Sequence, residues 1–267
     1  MTAAVRALLD PVADIAGRAG REILEVYAAG STAVTEKADD SPLTAADLRS
    51  HRLIVAALAA LTPGLPVLSE EAADTPFAER RSWQRYWLVD PLDGTREFLS
   101  RNGEFTVNIA LIEAHAAQLG VVHAPVTGVS YFGVAGAGAW RQRADSPRQP
   151  IHAGTHSATP LRVVGSRSHR GASLDAFLAR VGSHELLEMG SSLKFCLVAE
   201  GAADIYPRLG PTSEWDTAAA HAVLSAAGGV VSDLEGAPLR YNVRAELRNP
   251  HFVAYGPRDR DWLALLR

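Results

Sequence analysis

The chain has 267 residues, 47% of them hydrophobic and 21% charged, with a net charge of −4 and a single cysteine, Cys196. That is the composition of an ordinary globular protein, long enough for one large domain or two lobes. It excludes a basic nucleic-acid-binding surface and an intrachain disulfide, and it leaves room for a small anionic ligand held by a local positive cluster.

Residues 3–28 are Ala-rich with helical apolar spacing, and Gly30 closes the segment. Acids interrupt its apolar pattern, so no signal peptide is expected. No apolar run reaches the roughly 18 residues of a membrane span. Residues 44–61 read as a second helix, and Pro66-Val67-Leu68 as a short strand running into Glu70-Glu71. Residues 72–84 read as loop, Tyr86–Val89 as a strand, and a short helix starts at Thr95. A β-meander covers Glu104–Gly138. Residues 141–158, polar and broken by Pro147, Pro150 and Gly154, read as the linker between lobes. Beyond it, strands at 161–166, 185–188, 203–206 and 230–231 alternate with helices at 171–181, 192–200 and 213–227. This rhythm predicts an α+β N-terminal lobe (1–145) and an α/β C-terminal lobe (146–267).

The strand at Trp87-Leu88-Val89 ends in Asp90-Pro91-Leu92-Asp93-Gly94-Thr95. Alone, this reads as a solvated turn. A carboxylate at the end of a buried strand, however, is costly without compensation, and a divalent cation offsets several such groups. Glu70 and Glu71 also follow a strand, and Asp216 opens an Ala-rich helix, where an acid also suits the helix dipole. Asp47, in Thr44-Ala45-Ala46-Asp47, fits a capping box serving only helix initiation. Together the acids read as a metal site between lobes. Gly94 admits close backbone approach, and a helix from Thr95 aims N–H groups at an anion. Phosphoryl transfer to water follows, with Mg²⁺ as the cation. Thr95 would orient the water, and either Asp47 or Glu70 would take its proton. An aspartyl-phosphate route is disfavoured, because residues i and i+3 of a strand face opposite ways and so separate Asp90 from Asp93.

The ordered set Asp47, Glu70-Glu71, Asp90-Pro91-Leu92-Asp93-Gly94-Thr95, Trp215-Asp216 and, after residues 217–227, Gly228-Gly229 resembles the Mg²⁺-dependent, lithium-sensitive superfamily of inositol monophosphatases and fructose-1,6-bisphosphatases. Residues 86–113, 190–201 and 206–211, with Arg96-Glu97-Phe98, are similar to the CysQ-type 3′(2′),5′-bisphosphate nucleotidases within it.

The resemblance implies an α/β/α/β/α layered sandwich with the site between lobes. It implies two or three Mg²⁺ ions on Glu70, Asp90, the Leu92 carbonyl, Asp93 and Asp216, and a water-activating pair of Asp47 and Thr95. Gly94 and Thr95 would cradle the scissile phosphate, and His169, Ser191, Lys194 and Arg208 would hold a second, retained one. Substrate contacts would then fall on Glu70, Leu92, Asp93, Gly94, Thr95, Asp216 and these four. The implied reaction removes the 3′-phosphate of adenosine 3′,5′-bisphosphate, with the sulfated relative as a further substrate. Its role would be in sulfate assimilation, and lithium would inhibit it. The expected setting is cytoplasmic, with peripheral contact to the inner membrane left open, as is the choice of monomer or homodimer. The rival readings are a phosphatase of inositol monophosphate or fructose 1,6-bisphosphate, and a catalytically silent nucleotide-binding protein. Cys196 reads as a core residue.

Overall fold

The computed structural model describes residues 2–29, 42–167 and 171–266. The N-terminal segment is two helices, α1 (Thr2–Arg6) and α2 (Leu9–Ala29), in place of one. Pro11 explains the break: its ring would clash with the carbonyl four residues back, at Ala7. α3 (Pro42–Leu61) begins two residues before Thr44, so Thr44 is not its N-cap and the capping-box reading of Asp47 does not hold.

Seven strands follow in sequence order: β1 (Val67–Ser69), β2 (Arg85–Asp93), β3 (Thr106–Glu113), β4 (Ala116–Ala124), β5 (Val129–Val134), β6 (Gly138–Arg143) and β7 (Gln149–Ile151). They form one sheet in that order, parallel at β1/β2 and antiparallel elsewhere. Two short helices interrupt them, α4 (Phe77–Arg80) and α5 (Thr95–Leu99). Of residues 141–158, those up to Ile151 therefore belong to the first sheet, and only the stretch after it leads on to the strand that begins at Leu161. β6 and β7 carry the first sheet past residue 145 to Ile151, and Pro150 is tolerated because β7 is an edge strand.

The remaining elements are β8 (Leu161–Ser166), α6 (Ala172–Val181), β9 (His184–Met189), α7 (Leu193–Ala199), β10 (Ile205–Arg208), α8 (Glu214–Ala226), β11 (Val230–Asp233), β12 (Phe252–Tyr255) and α9 (Trp262–Leu266). Their strands form a second sheet in the order β11-β12-β10-β8-β9.

Side-chain alternation stacks these parts into five layers. Trp87, Val89, Val107, Ile109 and Leu111 face α1–α3, while Tyr86, Leu88, Ala110 and Ile112 face the opposite way. That opposite face shares one core with α7, α8 and the inner face of the second sheet, including Val164, Tyr206, Phe252 and Ala254. Leu161, Val163, Ile205 and Val253 on the outer face meet α6 and Trp262. The order is α/β/α/β/α, as the resemblance implies. Two glycines seat the middle helix: a Cβ on Gly120 would lie 2.0 Å from the Ala219 carbonyl oxygen, and one on Gly133 would lie 2.4 Å from Val223 Cα. Among the described residues no helix is long and apolar enough to cross a membrane.

Candidate active site

Tyr86 and Leu88 point toward the middle layer, and Asp90 continues that parity, only 1% exposed. Asp90 pairs with Asn108 and Asp93 with Thr106, so three steps along β2 match two along β3. This is a β-bulge, one extra residue in one strand. It brings Asp93 round to the face of Asp90 and sends Leu92 into the core under α1–α3. The expectation that i and i+3 spacing separates the two carboxylates is thereby corrected. The Ser50 hydroxyl donates to the Pro91 carbonyl at 2.8 Å, and the Leu92 N–H donates to Asp90 Oδ1 at 3.0 Å, so the bulge is held from both sides.

Asp93 is held more tightly still. Its Oδ2 accepts the Ser192 N–H at 2.6 Å, the Ser192 hydroxyl at 2.7 Å, Asn108 Nδ2 at 3.2 Å and the Thr106 hydroxyl at 3.4 Å. A carboxylate so occupied on one oxygen is poorly placed to attack phosphorus, which restores the argument against an aspartyl-phosphate on different grounds.

Gly94 has φ of 99°, and a Cβ there would lie 3.2 Å from Phe105 Cα, so this position requires glycine. Glu70 follows β1, and its N–H donates to the Val89 carbonyl at 3.1 Å, fixing it beside β2. Asp216 sits at the third position of α8, where Oδ2 accepts the Ser213 N–H at 2.9 Å in a capping box. The helix-initiating role and a place on the cleft thus coexist in one side chain.

A cleft of about 360 Å³ is lined by Glu70, Asp90, Leu92, Asp93, Gly94, Thr95, Ser191, Lys194, Arg208 and Asp216. The acids come from the turn after β1, from β2 and from α8, and the cations from α5 (Arg96), α7 and β10. Ser191 has a left-handed backbone (φ 45°), and its Oγ is buried without a hydrogen-bond partner. Lys194 is 7% exposed; its Nζ lies 3.4 Å from the Met189 carbonyl and 5.7 Å from the Tyr206 ring centroid. Burial pulls its pKa down to about 8, with Asp93 opposing the shift and Arg208 adding to it.

Asp47 does not line the cleft. Its Oδ1 is buried without a partner, and no hydrogen bond joins it to Thr95 among the described residues. Burial, then the charges of Glu71 and Glu70, push its carboxyl up to about 8. His169 lies outside the described residues. Thr106 and Asn108 were not singled out in the sequence, since isolated polar residues within an apolar run carry no spacing signal, and neither was Ser192, which stands beside Ser191 without a pattern of its own. Glu71, noted there only as part of the Glu-Glu pair, proves to be the neighbour of Asp47.

Burial and mutual repulsion act on the remaining acids. Burial pushes Glu70 up to about 7, with Asp93 and Glu71 adding to the shift and contact with Asp90 and Trp215 opposing it. Asp216 rises to about 7, from burial first and Asp93 second. Burial, then the charges of Asp93, Glu70, Asp216 and Asp47, drives Asp90 far above the carboxylate range. Among the described residues no three His, Cys, Asp or Glu side chains already stand at coordinating spacing. The donor set nonetheless fits a hard divalent cation. All its donors are oxygens, and a cation reverses the repulsion that otherwise favours protonation.

Similarity to known proteins follows the same residues. The chain is 53% identical to the 3′(2′),5′-bisphosphate nucleotidase CysQ of Escherichia coli O157:H7 over 247 residues, covering 92% of this chain and 98% of that one. It is 38% identical to the protein of the same name from Haemophilus influenzae, over 97% of each. The crystal structure of CysQ from Bacteroides thetaiotaomicron superposes with a TM-score of 0.82 at 41% identity, covering 94% of this chain and 98% of that one. An inositol monophosphatase from Anabaena shares the fold at 24% identity and a TM-score of 0.76, covering 98% of this chain and 95% of that one. The model of the inositol monophosphatase family matches residues 6–256, and the chain belongs to that family.

Proposed function

We propose that the chain is a Mg²⁺-dependent 3′(2′),5′-bisphosphate nucleotidase that converts adenosine 3′,5′-bisphosphate to AMP and phosphate. The observation that carries this reading is one cleft lined by two unlike sets of groups. Glu70, Asp90, Asp93 and Asp216 form an acidic set, and Ser191, Lys194 and Arg208 form a set suited to a phosphate. A substrate with one phosphate to lose and another to keep matches both. The names of the relatives above agree, and the family is generally Mg²⁺-dependent.

Glu70, Asp90, the Leu92 carbonyl, Asp93 and Asp216 would hold two or three ions. Bound there, Mg²⁺ neutralises phosphate charge and acidifies water. Gly94 and Thr95 face the scissile phosphate, with the Thr95 hydroxyl orienting the attacking water. Of the two candidate bases, Glu70 is on the cleft wall and Asp47 is not, so Glu70 takes the proton, while Asp47 stands behind it, its own carboxyl raised by burial and by the charges of Glu71 and Glu70. Hydroxide adds to phosphorus, the bond to the 3′ oxygen breaks, and the proton passes to that oxygen. Lys194, Arg208, Ser191 and His169 retain the 5′-phosphate. The reaction clears a by-product of sulfate assimilation, and the sulfated nucleotide fits the same pocket.

Phosphate release should be measured in parallel from adenosine 3′,5′-bisphosphate, inositol 1-phosphate and fructose 1,6-bisphosphate, with Mg²⁺ and with EDTA. A strong Mg²⁺-dependent preference for the nucleotide is expected. Equal or faster release from a sugar phosphate would overturn the substrate assignment, and no release from any would overturn the enzyme reading.

A further inference from the structure

Ser192 lines the cleft between Ser191 and Lys194 in sequence and hydrogen-bonds to both Asp93 and Asp216. It occupies the N-cap of α7, where a serine ordinarily turns its hydroxyl onto the helix's own N–H groups, yet it makes no such cap. Its N–H donates to Asp93 Oδ2 at 2.6 Å instead. Its hydroxyl lies 2.7 Å from that same oxygen and 2.7 Å from the Asp216 carbonyl, and it accepts from Asn108 Nδ2 at 2.8 Å. A hydroxyl has one proton, so it serves one of the two acceptors at a time. Ser192 therefore has two discrete arrangements, each favouring a different acid-bearing element.

The same loop carries the phosphate pocket. Ser191 precedes Ser192 with an unpartnered, buried Oγ, and Lys194 follows two residues later. The loop is packed from behind: a Cβ on Gly190 would lie 2.4 Å from Glu97 Cγ, and the Gly190 N–H donates to Glu104 Oε2 at 2.7 Å. A pull on Ser191 or Lys194 is thus passed along the backbone to Ser192.

Building on the bisphosphate reading above, we propose that Ser192 is a positioning residue that couples the retained-phosphate groups Ser191 and Lys194 to the acids of the same cleft. A phosphate seated on Ser191 and Lys194 fixes the Ser192 N–H and O–H that orient Asp93 and, through the Asp216 carbonyl, the first turn of α8. The second phosphate then improves cation binding as well as its own, and linkage makes the effect reciprocal.

The test titrates Mg²⁺ calorimetrically into the full-length wild type and Ser192→Ala, with and without 3′-deoxyadenosine 5′-monophosphate. That nucleotide carries the retained phosphate and lacks the 3′ oxygen. The wild type should bind Mg²⁺ at least about fivefold tighter with the nucleotide present, the low end of ordinary coupling. In Ser192→Ala the ratio should fall below roughly twofold, while nucleotide affinity without Mg²⁺ stays within about threefold. A ratio unchanged in the variant, as charge attraction alone would give, overturns the proposal, as does no coupling in the wild type. Should Ser192→Ala fail to fold, the wild type still decides: kcat for adenosine 3′,5′-bisphosphate should exceed that for adenosine 3′-monophosphate at least about fivefold. Equal kcat with a difference in KM alone overturns the coupling. Absence of nucleotide binding together with no phosphate release from the bisphosphate would overturn the substrate reading as well.

Discussion

Asp93 accepts four hydrogen bonds on one oxygen and repels three neighbouring carboxylates with its charge. Asp93→Asn keeps the shape, removes the charge and weakens cation binding. Turnover should drop at least about 100-fold, the scale of losing a positioned electrostatic group. The metal-free variant should melt no lower than the metal-free wild type, because repulsion is relieved. Near-full activity would refute the metal-site assignment. On the proposed reading Lys194 holds the other phosphate. Lys194→Ala should raise KM for the bisphosphate about tenfold or more and change KM for adenosine 3′-monophosphate less than about threefold, the loss of one charge-assisted contact. With burial pulling Lys194 to about 8, its positive charge is present below that pH and lost above it. In the wild type kcat/KM for the bisphosphate should therefore fall as pH rises past about 8, and in Lys194→Ala that limb should be missing. At this scale the sequence was most legible where residues cluster: Glu70-Glu71, the run from Asp90 to Thr95, and Trp215-Asp216. Ser192, Asn108 and Thr106 were not, since only the pairing of β2 with β3 and the turn into α7 bring them to Asp93.

The element that decides the site is the bulge in β2. Nothing in Asp90-Pro91-Leu92-Asp93 states that two residues will oppose one, and strand parity alone puts the carboxylates on opposite faces. The partner strand and the Ser50 anchor impose the bulge, and both are distant in sequence. The α1/α2 break was readable in principle from Pro11, whereas β6 and β7 were hidden by turn-forming residues that an edge strand tolerates. The Ala-rich α8 was legible as a helix, but the reason for its small residues is tertiary: they let it lie on Gly120 and Gly133. Gly133→Ala would place a methyl 2.4 Å from Val223 Cα and 2.6 Å from the Ala222 oxygen, both backbone atoms. Overpacking of this kind should cost about 3 kcal/mol in chemical denaturation. It should also weaken Mg²⁺ binding, because α8 carries Asp216. Normal stability with weak Mg²⁺ binding, or the reverse, would show that the seating of α8 and the site are independent.

Across the whole molecule, the acids make metal-free stability depend on pH. Asp47, Glu70 and Asp216 have folded-state pKa values of about 8, 7 and 7, raised first by burial. An acid raised in this way contributes stability that is full below its unfolded pKa, near 4, and is lost as pH climbs through the folded value. In EDTA the protein should therefore melt at a lower temperature at pH 8.5 than at pH 6, and the rise in Tm on adding Mg²⁺ should be larger at pH 8.5. A Tm gain independent of pH would mean the cation binds elsewhere. The change of rhythm, helices and meander first and alternation later, made an α+β part followed by an α/β part legible, while the five-layer stacking came from the family resemblance. The sharing of one middle layer by both sheets was not legible, because helical spacing shows that α8 has buried faces without saying which sheets cover them.

That shared layer has a consequence for what counts as a unit. Residues up to Ile151 supply one wall and three of the acids, and those from Leu161 supply the other wall, Asp216 and the phosphate pocket. Each part has an apolar cluster of its own, but the middle core is shared and neither part holds the whole site. The exposed stretch at Thr155-His156 between them carries none of the chemistry. A cut there would divide the acids from one another and open the middle core to water, so the two parts should melt together rather than one after the other.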